Sequence, residues 1–152
     1  MKTVGFPISR KENEYRRAFV PVHLKNIEHP ELLYFEKGYG EVLGIEDSEY
    51  EACGSHIASH DEVLLKDIIC DPKIGDADYL EELDHQTIFG WIHATQNRDI
   101  TDKLLASELT AFAWERCFKK DDMSFGEIMS LQVKRQSCML SSVMQGCLMK
   151  LR

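Results

Sequence analysis

The sequence lacks any apolar run near the roughly 20 residues that a membrane-spanning helix requires. Its opening, MKTVGFPISRKENEYRR, brings charge too soon after the short VGFPI run to form a secretory core. Basic residues are scarce: 18 Lys and Arg stand against 26 Asp and Glu, a net charge of −8. A nucleic-acid binder needs a basic face for the phosphates, so no nucleic-acid partner is expected, and no membrane. Five cysteines without a CxxC pair give neither a disulfide framework nor a zinc finger. A reducing cytoplasm is the expected compartment. What is present, 152 residues at 43% hydrophobic, suffices for one ordinary domain with a buried core.

The average hides a split. Residues 1–118 hold 12 basic and 23 acidic side chains, whereas 119–152 hold 6 and 3. The tail also carries five of the six methionines and a single aromatic, Phe125, while all four prolines lie before residue 73. The chain therefore divides into a domain over 1–118 and an atypical tail over 119–152.

Within the domain, short apolar strands alternate with helix-length segments. Strands are expected at Thr3–Ile8, Leu32–Glu36, His56–Ala58, Asp67–Asp71, Thr87–Ile92 and Thr110–Trp114. Helices are expected from Pro21, from a cap at Asp47-Ser48, from Ser59 to Leu65, over Ala77–Leu83 and from Thr101 to Ser107. Near-continuous apolar strands separated by helices predict a mostly parallel sheet covered on both faces. The fold class is thus α/β, a three-layer Rossmann-like domain.

Gly38-Tyr39-Gly40-Glu41-Val42-Leu43-Gly44 is one residue longer than the dinucleotide fingerprint. Its last glycine precedes the next helix, and Glu41 would repel phosphate, so the segment reads as a turn. His56 and His60 are four apart, but the residues between them read as strand end and helix cap, and no third ligand follows; no metal site is expected. Three residues stand out. Arg16, in a polar loop after the first strand, can grip a carboxylate through two parallel hydrogen bonds; the alternative is a solvated ion pair with Glu12 or Glu14. Lys73 follows a strand end, where open parallel sheets bind ligands. His93 ends the strand TIFGWI and suits proton transfer; the alternative is a structural histidine.

The segments VGFPISRKENEYRRAFVP, FEKGYGEVLGIEDSEYEACG, CDPKIGDADYL and TIFGWIHATQNRDITDKLLASELTAFAWE follow one another over residues 1–118. In order and spacing they resemble the N-terminal domain of the alanine dehydrogenase and transhydrogenase family. The marks NEYRRA, FEKGYGEVL, DIICDPKIGDADYLEEL and QTIFGW-x-HA are similar to its opine-forming branch, the carboxyethylornithine synthases. The resemblance implies an oxidoreductase that condenses pyruvate with the side-chain amine of ornithine, or of lysine, and reduces the imine with NADPH. It implies that Arg16 binds the substrate carboxylate, that Lys73 binds substrate and takes part in catalysis, and that His93 is the acid/base. The family's Lys-Glu-Pro is Asp-Pro-Lys here, so the register of Lys73 is open by a residue or two.

The resemblance ends near Lys120, before the family's cofactor domain. Read one base earlier, with suitable codons, the tail gives GRHVFWRNNE and then LAGEAAVMHAFQCYAGVPYE, which resembles the family's continuation. The tail is therefore expected to be a frameshift product, a point that sequencing the coding DNA decides. NADPH would then bind full-length members and not this chain alone, which is expected to be inactive by itself. An incompletely covered sheet face would favour association into a homo-oligomer, although Leu140, Val143, Met144, Cys147, Leu148 and Leu151 form a stripe that would cover part of it. Two alternatives stay open: a freestanding keto-acid or amino-acid binding module, and one half of a split dehydrogenase.

Overall fold

The computed structural model describes residues 1–116. The tail, its apolar stripe and the frameshift junction lie outside the described residues. Six strands build one sheet: β1 (Val4–Phe6), β2 (Leu33–Glu36), β3 (His56–Ala58), β4 (Ile68–Asp71), β5 (Thr87–Gly90) and β6 (Thr110–Ala113). Their order is β3-β2-β1-β4-β5-β6, and every pairing is parallel. Strands β1 and β4 end where Pro7 and Pro72 follow, because neither ring can donate to a ladder.

Alternation along the strands builds two cores. Val4, Phe6, Leu33, Phe35, Ile68 and Cys70 face one side, under Phe19, Tyr39 and Tyr50. Ile69 and Ile88 face the other, under Ile74, Tyr79, Leu80 and Ile100. Phe6 stacks on Phe35 at 4.5 Å and meets Phe19 edge-on at 5.6 Å. The covering helices are α1 (Pro21–Leu24), α2 (Asp47–Glu51), α3 (His60–Leu64) and α4 (Arg98–Ala106). The arrangement is a three-layer Rossmann-like α/β domain. Among the described residues, no helix is long and apolar enough to cross a membrane.

Local chemistry explains most helix ends. Ser59 caps α3 through a reciprocal pair: its hydroxyl accepts from Glu62 N–H at 3.4 Å, and the Glu62 carboxylate accepts from Ser59 N–H at 2.9 Å. Three expectations need correction. Helix α2 is capped by Glu46 rather than at Asp47-Ser48, with Glu46 N–H donating to the Glu49 carboxylate at 3.1 Å. Helix α4 starts at Arg98, three residues before Thr101, because the Asn97 side chain accepts from Asp99 N–H at 3.0 Å; the Thr101 hydroxyl instead donates to the Ala94 carbonyl. The segment expected as a helix over Ala77–Leu83 is a tight 3-10 turn, Asp78–Glu82. Tyr79, Leu80 and Leu83 must all reach the same core within five residues, and the tighter winding brings them there.

Candidate functional site

Strand β1 lies between β2 and β4, so the chain leaves it toward one side and returns at β4 on the other. In open parallel sheets such a reversal of strand order is where ligands bind, at the carboxyl ends of the strands. Arg16 lies in the loop after β1, Lys73 two residues beyond β4, and His93 three residues beyond β5. The structure places all three at this one rim.

The Arg16 loop is held from the neighbouring turn. The Tyr39 hydroxyl, fully buried, accepts from Ala18 N–H at 2.9 Å, and the Tyr39 carbonyl accepts from Arg17 Nε at 2.5 Å. The Tyr50 hydroxyl donates to the Phe19 carbonyl at 3.2 Å. The glycine segment therefore buttresses the Arg16 loop. It does not fit a dinucleotide: Gly38 N–H donates to both Asp47 carboxylate oxygens, at 3.0 and 3.1 Å, where a pyrophosphate would need that donor. Helix α2 behind it has only five residues and begins with that same aspartate.

Arg16 has a carboxylate partner of its own. Glu14 accepts from Arg16 Nε at 2.9 Å, from Nη2 at 2.5 Å and from the Arg16 backbone N–H at 2.8 Å. The Glu14 side chain is 6% exposed and that of Arg16 39%, so the carboxylate lies beneath the guanidinium rather than over it. Burial pushes the Glu14 carboxyl up, but the Arg16 hydrogen bonds and the charges of Arg16 and Lys73 outweigh it and hold the group below the usual range. The hydrogen bond to Glu14 raises Arg16 further, against its burial.

Lys73 introduces a 3-10 turn, Ile74–Asp76, and its ammonium lies 3.7 Å from the Asp76 carboxylate. Lys11, from the loop after β1, pairs with the same carboxylate. Asp76 is held low by the Lys11 hydrogen bond, against its burial, with help from the charges of Lys11, Lys73 and His93. Asp76 is thus a hub for basic side chains of three loops. His93 adopts φ 57°, a left-handed backbone uncommon for a residue with a side chain. Its N–H donates to the Glu115 carboxylate at 2.6 Å, and its ring stacks on Trp91 at 5.7 Å. Gly75 ties the Lys73 and His93 segments together: its N–H donates to the Trp91 carbonyl at 3.0 Å, and a Cβ there would lie 2.1 Å from the Ile92 carbonyl oxygen.

Beneath Lys73 lies Asp71, fully buried at the end of β4. Burial pushes its carboxyl up to about 6, although the hydrogen bonds from Tyr79 and the Lys73 backbone pull the other way. Asp71, Tyr79, Asp76 and Lys11 are not among the residues expected from the sequence. Asp71 had a signal, a charge closing the apolar run IIC; the others had none that is local. His56 and His60 do not converge: His56 stacks on Tyr34 at 4.8 Å, whereas His60 Nδ1 lies 2.9 Å from the Glu36 carboxylate.

Comparison with known proteins agrees with this architecture. A family profile described as "Alanine dehydrogenase/PNT, N-terminal domain" matches residues 5–131, past Lys120, near which the resemblance was expected to end. An N(5)-(carboxyethyl)ornithine synthase of Clostridium botulinum is 37% identical over 92 residues, which cover 59% of this chain and 28% of that protein. An alanine dehydrogenase of Mycolicibacterium smegmatis is 32% identical over 120 residues, covering 74% and 31%. A solved L-alanine dehydrogenase superposes with a TM-score of 0.68 at 20% identity, covering 80% of this chain and 34% of that one. A transhydrogenase from Sinorhizobium meliloti gives 0.62 at 21%, covering 74% and 33%. The chain spans about a third of the length of these relatives. With most of its length matched by the profile, the chain belongs to the alanine dehydrogenase/PNT N-terminal domain family.

Proposed function

We propose that this domain captures an α-keto acid of the pyruvate class for reductive condensation with an amine, such as the side-chain amine of ornithine or lysine. Arg16 binds the keto-acid carboxylate. Glu14 occupies the Nε and Nη2 side of the guanidinium, so the ligand meets the outer edge that includes Nη1. Lys73 holds the carbonyl oxygen and favours the negative charge that develops on it. His93 moves protons as the carbinolamine loses water. The supporting observation is the convergence of three separate loops on one rim, with Arg16 and Lys73 both facing Glu14, and Lys73 and His93 both facing Asp76. The names of two relatives supply the chemistry: one makes an N(5)-(carboxyethyl) derivative of ornithine, and the alanine dehydrogenase acts on alanine. A nicotinamide donor, NADPH in the opine branch, would supply hydride; the glycine turn does not fit it. These residues by themselves are expected to leave NADPH unoxidised in the presence of pyruvate and ornithine.

Calorimetry tests the reading. Millimolar pyruvate is expected to give binding heat. Arg16→Ala is expected to weaken affinity by roughly 10- to 100-fold, the worth of a hydrogen-bonded charge pair. Absence of heat with the parent chain, or undiminished heat with Arg16→Ala, rules the reading out.

A further inference from the structure

We propose that Asp71 and Tyr79 form a buried clasp that positions the loop carrying Lys73. The proposal rests on the keto-acid reading of this rim and names positioning residues for it. After β4 the chain makes an excursion through the Ile74–Asp76 turn, packed against β5, to the 78–82 turn. Asp71 Oδ1 accepts from the Lys73 backbone N–H at 2.8 Å, which fixes the start of that excursion. Asp71 Oδ2 accepts from the Tyr79 hydroxyl at 2.5 Å, which fixes its end. One carboxylate thus closes the loop at both ends, while the Gly75 N–H bond to the Trp91 carbonyl holds its middle.

Neither group is placed as a bystander. Asp71 is fully buried and Tyr79 is 1% exposed. A carboxylate so placed is costly to bury, and an apolar side chain would pack the site at lower cost. The Tyr79 ring lies in the core beside Ile74 and meets His60 edge-on at 5.6 Å, so its hydroxyl has a fixed direction. The charged and titratable groups facing Asp71 are Glu14, Arg16 and Arg17 from the loop after β1, Cys70 in its own strand and Tyr79. The clasp therefore sets where the Lys73 ammonium and Asp76 project relative to Arg16 and His93.

Amide NMR on the full 152-residue chain, titrated with pyruvate, tests this. In the parent, the Lys73 amide proton should lie far downfield and move as Asp71 ionises near pH 6. Asp71→Ala should shift it upfield, broaden Gly75 and Asp76, and weaken pyruvate at least about tenfold. Asp71→Asn can still accept from Lys73 N–H and can donate to the Tyr79 oxygen. It should restore affinity to within about threefold while abolishing the titration. Tyr79→Phe, which only removes a hydroxyl, should move the titration midpoint upward because the ionised carboxyl loses a donor. An unmoved Lys73 amide in Asp71→Ala, pyruvate affinity equal to the parent's, or failure of Asp71→Asn to rescue it overturns the clasp. If the parent shows no pyruvate shifts, the keto-acid reading falls instead. The clasp is then decided by the amide signals: it stands if Asp71→Ala abolishes the Lys73 signature and falls if that signature is unmoved.

Discussion

Gly90→Ala is expected to destabilise the domain by about 3 kcal/mol, the upper range for forcing one extra carbon into a packed site. For a domain of this size that lowers the melting temperature by roughly 10 °C. Gly90 ends β5 opposite Asp71, and a Cβ there would lie 1.9 Å from the Asp71 carbonyl oxygen and 3.0 Å from Ile74 Cγ2. The first of these atoms is backbone in a central strand, so no rotamer change relieves the clash. The strands must separate where Asp71 and the Lys73 loop begin, so pyruvate binding should fall along with stability. Thermal unfolding followed by circular dichroism measures the effect. A variant within 1 kcal/mol of the parent would mean that β4 and β5 are not packed this closely.

Asp71→Asn is expected to act in the opposite direction, and only at higher pH. The carboxyl titrates at about 6 in the fold against an ordinary value of 3.8, chiefly because it is buried. Below 3.8 it is protonated whether the chain is folded or not, and nothing is lost. From 3.8 up to about 6 the unfolded chain gives up the proton that the folded chain still holds, so stability falls across that window and levels off above it. The full difference corresponds to about 3 kcal/mol. Asparagine keeps the shape and never ionises. Its advantage over the parent should therefore be near zero at about pH 3 and greatest above pH 7. Urea unfolding across that range gives the comparison; a difference that does not change with pH would show that Asp71 is not titrating there. A strand end that holds a carboxylate at this cost to stability fits a positioning role better than a packing role.

Individual residues show how far local reasoning reaches. Pro7 and Pro72 mark strand ends in any context, because the ring removes a donor. Ser59, followed three residues later by Glu62, signals a helix start because its bonds are made within one turn. Asn97 competes with Thr101 for the start of α4, and only the structure shows that the Thr101 hydroxyl is already engaged by Ala94. Arg16 and Glu14 are two residues apart, so their pairing was one of the readings open from sequence. Lys11 and Asp76 are 65 residues apart and had no such signal.

The sequence alone determined the six strands, the parallel α/β class, the turn at Gly38–Gly44 and the stations of Arg16, Lys73 and His93 just past strand ends. These follow from apolar runs and their breakers, which act over a few residues. Tertiary structure decided that β1 lies between β2 and β4 and thereby what each station faces: Lys11 and Lys73 on Asp76, Tyr79 on Asp71, and Glu36 on His60. Strand order depends on which apolar faces bury best against one another over the whole chain, and periodicity within a single segment carries no information about that choice.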